Sequence, residues 1–100
     1  METEQILELI TRRRRQILVH SIIYYKLNDN LVSDAQWAKW AVELEELQHQ
    51  YPGLAEAAPY AEAFKDFEHS SGYNLPLSDA WGVRKARQLI DYRNRLLKGE

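Results

Sequence analysis

The sequence predicts an all-α protein, a small helical bundle built on an antiparallel helical hairpin with a long C-terminal helix. Three observations carry that expectation. Apolar residues recur at helical spacing in three stretches: Ile6, Ile10, Ile17 and Tyr24; then Trp37, Trp40, Leu44, Leu47 and Tyr51; then Trp81 to Leu97. No stretch shows the strict alternation of a half-buried strand. The clearest turn signals, Asn28-Asp29-Asn30, Pro52-Gly53 and Ser70-Ser71-Gly72, fall between the periodic stretches. At 100 residues the chain has the length of one domain, spanning 1–100, and 45% apolar residues are enough to give that domain a core.

The first helix is expected over 4–26, with Thr3 as its cap and Glu4 favourable in its first turn. Leu7, Leu18 and Tyr25 flank its apolar line. Arg14 falls inside that apolar arc, whereas Arg12 and Arg15 point away. A charge inside an apolar stripe needs a partner, because an unpaired buried charge is costly. Arg14 therefore has two readings, a rim salt bridge to a glutamate of the second helix or an anion contact in a binding site.

The second helix is expected over 34–51. Ser33-Asp34-Ala35-Gln36 fits the capping box, and Pro52-Gly53 is a stop signal. The short connection forces an antiparallel hairpin. Leu54 to Ala58 reads as one helical turn, and Pro59 as the start of a short helix carrying Tyr60, Phe64 and Phe67. Residues 69–76 have loop chemistry and are long enough to reach over a site. The last helix is expected over 79–97. Its apolar arc is wide enough to touch both arms of the hairpin. Ile10, Ile17, Trp40, Leu44, Leu47 and Leu89 are the expected core.

Composition narrows the chemistry. The absence of cysteine removes disulfides, thiolate catalysis and cysteine-rich zinc sites. His20, His49 and His69 share no short metal-ligand spacing, so no metal is expected. No phosphate-binding glycine loop or nucleophile elbow occurs, and no complete catalytic constellation is visible. The expectation is a non-enzyme without a cofactor. No apolar run approaches the roughly 20 residues of a membrane span, which points to the cytoplasm and away from membrane partners. The net charge of -2 is segregated. Asp34, Glu43, Glu45, Glu46, Glu56, Glu62, Asp66 and Glu68 outnumber Lys39 and Lys65 in the middle of the chain, while Arg84, Lys85, Arg87, Arg93, Arg95 and Lys98 dominate its end. Such segregation pairs helices or meets an anionic partner.

One corner gathers candidate binding residues. Tyr24 and Tyr25 end the first helix, Asp34 opens the second, and Trp37 lies one turn further on. Flat rings beside a carboxylate suit a nucleobase or pyridine ring, which needs faces for stacking and an acceptor for its polar edge. The same corner also suits a plain core end, or half of a homodimer interface.

The order Tyr-Tyr, then about eight residues, then Ser-Asp-Ala-x-aromatic, then an acidic leucine-rich helix ending in Tyr-Pro, resembles the N-terminal helical hairpin of bacterial NAD-dependent DNA ligases over about residues 12–55. In that family the hairpin grips the nicotinamide mononucleotide half of NAD. The resemblance implies ligand contacts for Tyr24 and Asp34, and stacking for Trp37 in place of a tyrosine. Tyr25 stands where the ligases have histidine, and Ala38 where they have a second aspartate. The adenylation and later ligase domains have no counterpart here, so ligase activity is not expected. The whole length, including Phe64-Lys65-Asp66-Phe67 and Ser70-Ser71-Gly72-Tyr73, also resembles small uncharacterised phage and prophage proteins that reuse the hairpin.

Three functional classes follow. The reading placed first on sequence is a non-catalytic, phage-type accessory protein that binds a host or phage protein, in the host cytoplasm if phage-encoded. The alternative is a module binding a nucleotide or NAD-derived small ligand through Tyr24, Tyr25, Asp34, Trp37 and Arg14, with sequestration of a host immune nucleotide signal as one use. The third is nucleic-acid binding through the basic last helix, against which the net charge argues.

Overall fold

The computed structural model describes residues 2–99 and is all-helical, with no strand among them. Five helices follow one another: α1 Thr3–Tyr25, α2 Asp34–Gln50, α3 Pro52–Ala57, α4 Ala61–Phe64 and α5 Ala80–Leu97. α1 is the central element, against which α2, α3 and α5 pack. It contributes Ile6, Ile10, Ile17, Leu18, Val19, Ile22 and Ile23 to the core, joined by Ala41, Leu44, Ala58, Phe64, Leu75, Leu77 and Ala86. No helix is long and apolar enough to cross a membrane.

The helix starts follow local chemistry. Glu2, and not Thr3, stands at the N-cap of α1, because the Gln5 side chain reaches back to accept from the Glu2 backbone N–H at 3.0 Å. Ser33 Oγ accepts from Gln36 N at 3.1 Å and opens α2 as the capping signal foretold. Asp79 caps α5 by accepting from Gly82 N at 2.9 Å. Pro52 ends α2 and also begins α3 at once, since its fixed φ suits a first helical turn. The short helix expected at Pro59 begins two residues later, at Ala61. Tyr60 takes the left-handed conformation (φ 66°) before it and donates from its hydroxyl to Asp79 Oδ2 at 2.9 Å.

Several core expectations need correction. Ile10, Ile17 and Leu44 are fully buried. Trp40, Leu47 and Leu89 are only half-buried, packed on the core from its margin. The wide arc of α5 packs chiefly along α1. Gly82 and Ala86 are buried there, and a side chain on Gly82 would meet Ile22 Cδ1 at 2.6 Å. Trp81 lies by Arg15, Gly82 by Leu18 and Ile22, and Arg93 by Asp29, so α5 runs in the same direction as α1 and outruns it. Beyond Arg93 every described residue is exposed, Leu96 and Leu97 among them, as is Tyr92.

The arginine run serves the scaffold. Arg12 pairs with Glu8 and Arg13 with Glu43 of α2, while the Arg15 guanidinium lies 5.4 Å from the Trp81 ring centroid. Arg14 is buried and makes no salt bridge among the described residues. It donates from Nε to Gln48 Oε1 (2.9 Å), from Nη1 to the Ala58 and Pro59 carbonyls (3.1 and 2.9 Å), and from Nη2 to the Ala55 carbonyl (2.7 Å). Those carbonyls belong to the last turn of α3 and the two residues after it, where backbone carbonyls lack partners within the helix. Gln48 completes the arrangement by donating to the Phe64 carbonyl at 3.0 Å.

Candidate functional site

The end of α1, the start of α2 and the loop after residue 68 enclose a cavity of about 340 Å³. Each wall has a local cause. α1 is continuous to Tyr25, so His20, Ser21, Tyr24 and Tyr25 lie on its last turns and all border the cavity. Asn28 then takes a left-handed conformation (φ 53°), which asparagine tolerates, and Asp29 N donates to the Ile23 carbonyl at 3.0 Å. This folds the connection back so that residues 30–33 form the floor, and the Ser33 cap sets Asp34 and Trp37 on the opposite side.

Trp37 is half-buried and fixed. Its Nε1 donates to Ser21 Oγ at 3.3 Å, and its ring lies edge-on to Phe67 with centroids 6.5 Å apart. Tyr24 is 56% exposed and meets Tyr25 edge to face at 4.9 Å. The ring contacts of Tyr24 and Trp37 are thus made with other partners, and both border the same open space.

The third wall is the loop after residue 68, of which His69, Ser70 and Ser71 border the cavity. Glu45 of α2 holds the loop at its start, its Oε2 accepting from the His69 backbone N–H and contacting ring Nδ1, both at 2.8 Å. The His69 contacts keep the Glu45 carboxyl below its ordinary pKa. Tyr25 holds the other end through a 3.2 Å hydroxyl contact with Ser71 Oγ and an edge contact with the Tyr73 ring at 5.5 Å. Between them Gly72 approaches α1 so closely that a Cβ would lie 2.2 Å from Ser21 Oγ and 3.1 Å from Trp37.

Of the five residues singled out from sequence, Tyr24, Tyr25, Asp34 and Trp37 border this cavity together. Arg14 is elsewhere: it borders a different hollow, among α2, α3 and α4, for the hydrogen-bonding reason given above. It is neither an anion contact at the corner nor a rim salt bridge. Ala38, where the ligase pattern has an aspartate, does line the cavity. Sequence reasoning missed Ser21 and His20. The sole signal for them was their position one turn before Tyr24 and Tyr25. Burial holds the His20 imidazole below its ordinary pKa; its Nδ1 is buried without a hydrogen-bond partner among the described residues, and its ring centroid lies 5.5 Å from that of Trp40.

The chain is similar to curated proteins named DNA ligase. It is 30% identical over 109 residues to that of Pelotomaculum thermopropionicum, covering 99% of this chain and 16% of the ligase. With the ligase of Methylococcus capsulatus it shares 30% identity over 73 residues, 65% of this chain and 11% of the relative. With that of Thermotoga petrophila the figures are 25% over 103 residues, 95% and 14%. No family model matches the chain, and no solved structure matches it significantly. The chain spans less than a fifth of the length of these relatives. Its sequence and its helices together describe a unit similar to one small helical part of DNA ligases, consistent with their N-terminal region.

Proposed function

We propose that this protein is a non-catalytic binding module for a nucleotide-like or NAD-derived small molecule, held in the corner cavity between Tyr24, Tyr25, Asp34 and Trp37. The observation that carries the reading is that Tyr24, Asp34 and Trp37, the three residues carried over by position from the ligase hairpin, border one cavity of about 340 Å³ together with Tyr25. That volume sits at the small end of the roughly 300–1,000 Å³ range of ligand pockets. The Trp37 ring, locked by Ser21 and Phe67, supplies a preset face for stacking, and Asp34 supplies an acceptor for a hydroxyl or amide. The similarity to DNA ligases, proteins named for an activity on nucleic acid, supports a nucleotide-like ligand.

A thermal-shift screen with NAD, its fragments and cyclic nucleotides identifies the ligand, and calorimetry then tests the site. Asp34→Ala is expected to weaken binding by about 1–3 kcal/mol, the loss of a hydrogen-bond partner. Trp37→Ala is expected to weaken it further by removing the stacking face. Folded variants that bind as tightly as the parent overturn the reading.

The protein-binding role that sequence placed first has one observation in its favour, the exposed Tyr92, Leu96 and Leu97 on the projecting end of α5. Loss of a protein partner on Leu96→Glu, with small-ligand binding unchanged, is the result that would promote it.

A further inference from the structure

α5 carries its packing stripe further than the elements it packs on. Ala86, Ile90 and Arg93 form one helical line on its packed side, and Leu97 is the next position along it. Tyr92 and Leu96 extend the neighbouring line from Leu89. The projecting end is therefore an apolar knob, with Leu97 78% exposed. Cations surround it. Arg87, Arg95 and Lys98 are exposed, and none forms an ion pair with another described residue.

A feature of the opposite kind lies among α2, α3 and α4. There a hollow of about 520 Å³ is lined by the apolar Pro52, Ala55, Ala61 and Phe67, with Glu56 and Glu62 beside them. Its cations are already engaged: Lys65 pairs with Glu62, and Arg14 gives its donors to Gln48 and three carbonyls. Glu56 is exposed and has no ion-pair partner among the described residues, and the exposed Asp66 precedes Phe67. An apolar hollow with an acidic border matches an apolar knob among cations.

The knob cannot reach the hollow of its own chain. It lies past Asp29, where the Arg93 side chain pins α5, whereas the hollow borders Arg14, near the middle of α1. Complementary features on separate parts of one molecule meet through a second copy. A contact of a few side chains falls short of the roughly 1,200 Å² of a stable interface, and a two-fold axis makes the same contact twice. Independently of the small-ligand reading, we infer that the chain forms a two-fold dimer in which the apolar end of α5 of each copy seats in the α2–α3–α4 hollow of the other.

Sedimentation equilibrium of the full chain over a wide concentration range tests this. The mass is expected to rise from that of one chain to that of two, and to fall back at high salt. Leu97→Glu should stay at the mass of one chain throughout while keeping the parent's urea midpoint, because Leu97 is exposed. Arg95→Glu and Glu56→Arg should each weaken the dimer about tenfold, and the doubly substituted chain should regain most of that loss, since the two reversals meet across the contact. The absence of cysteine gives a second readout. Leu97→Cys and Ala61→Cys chains, mixed and mildly oxidised, should yield chiefly the mixed disulfide. A parent with the mass of one chain at every concentration overturns the inference, as does growth past two chains. So does a dimer that Leu97→Glu leaves intact, or a doubly substituted chain that binds no tighter than the single variants. Predominance of the Leu97→Cys homodimer would show the α5 ends pairing with each other and overturns it as well.

Discussion

Arg14 carries a full positive charge into the interior and finds only neutral acceptors, one side-chain amide and three backbone carbonyls. Burial alone pulls its pKa below the ordinary arginine value, with no carboxylate to oppose the shift. The fork of the guanidinium lets a single residue tie α1 to α2 and to the end of α3. Arg14→Ala strands four neutral acceptors, and a loss of about 1–3 kcal/mol or more is expected in urea denaturation, as for leaving buried acceptors unsatisfied. Arg14→Lys should recover little, because a compact ammonium cannot reach acceptors spread across the fork. That Arg14 needed a partner was legible from the helical wheel. Its acceptors were not, because backbone carbonyls have no side-chain signature and the turn presenting them had only a weak signal.

The elements divide along the same line. α1 and α2 carry long apolar periods and side-chain caps, so their existence and their antiparallel pairing could be read to within a residue or two. The 65–79 stretch has no period, and its conformation is decided by what it touches. Gly72 illustrates this: nothing in Ser71-Gly72-Tyr73 announces that the glycine must lie against Ser21. The candidate site was therefore half legible, its hairpin walls by residue pattern and its loop wall only as a stretch long enough to reach. Gly72→Ala is expected to lift the loop, with faster limited proteolysis between residues 68 and 76 and weaker ligand binding. Ser21→Gly, which removes both the clashing hydroxyl and the Cβ, should restore part of the protection. Unchanged proteolysis in Gly72→Ala would show that the loop adapts without opening.

At the scale of the whole molecule, His20 and Asp29 contribute to the pH dependence of stability in separate pH ranges. The His20 imidazole has a lowered pKa in the fold, so the unfolded chain takes up the proton first. Its contribution is complete above the unfolded value of about 6.5 and declines as pH falls through it. Asp29, its carboxyl lowered to about 2 by its hydrogen bonds with Arg93, adds a contribution present above the ordinary aspartate value of 3.8 and lost as pH falls towards 2. Urea midpoints measured from pH 8 to pH 4 should therefore drop first near pH 6–7, and His20→Phe should flatten that first drop. A parent protein whose midpoint is constant from pH 8 to pH 5 would show that His20 is solvated in both states.

The loop wall also places the cavity in time. The α1–α2 hairpin closes over a short connection, whereas Tyr25 and Ser71 are 46 residues apart in the chain, and Glu45 and His69 are 24 apart. Closing longer loops costs more entropy, so contacts of this separation are made after the local ones. The cavity is then among the last features to appear as the chain folds and among the first to be lost. A molecule bound there acts on that final step. It should slow unfolding while leaving the folding rate nearly unchanged, as interactions absent from the folding transition state do.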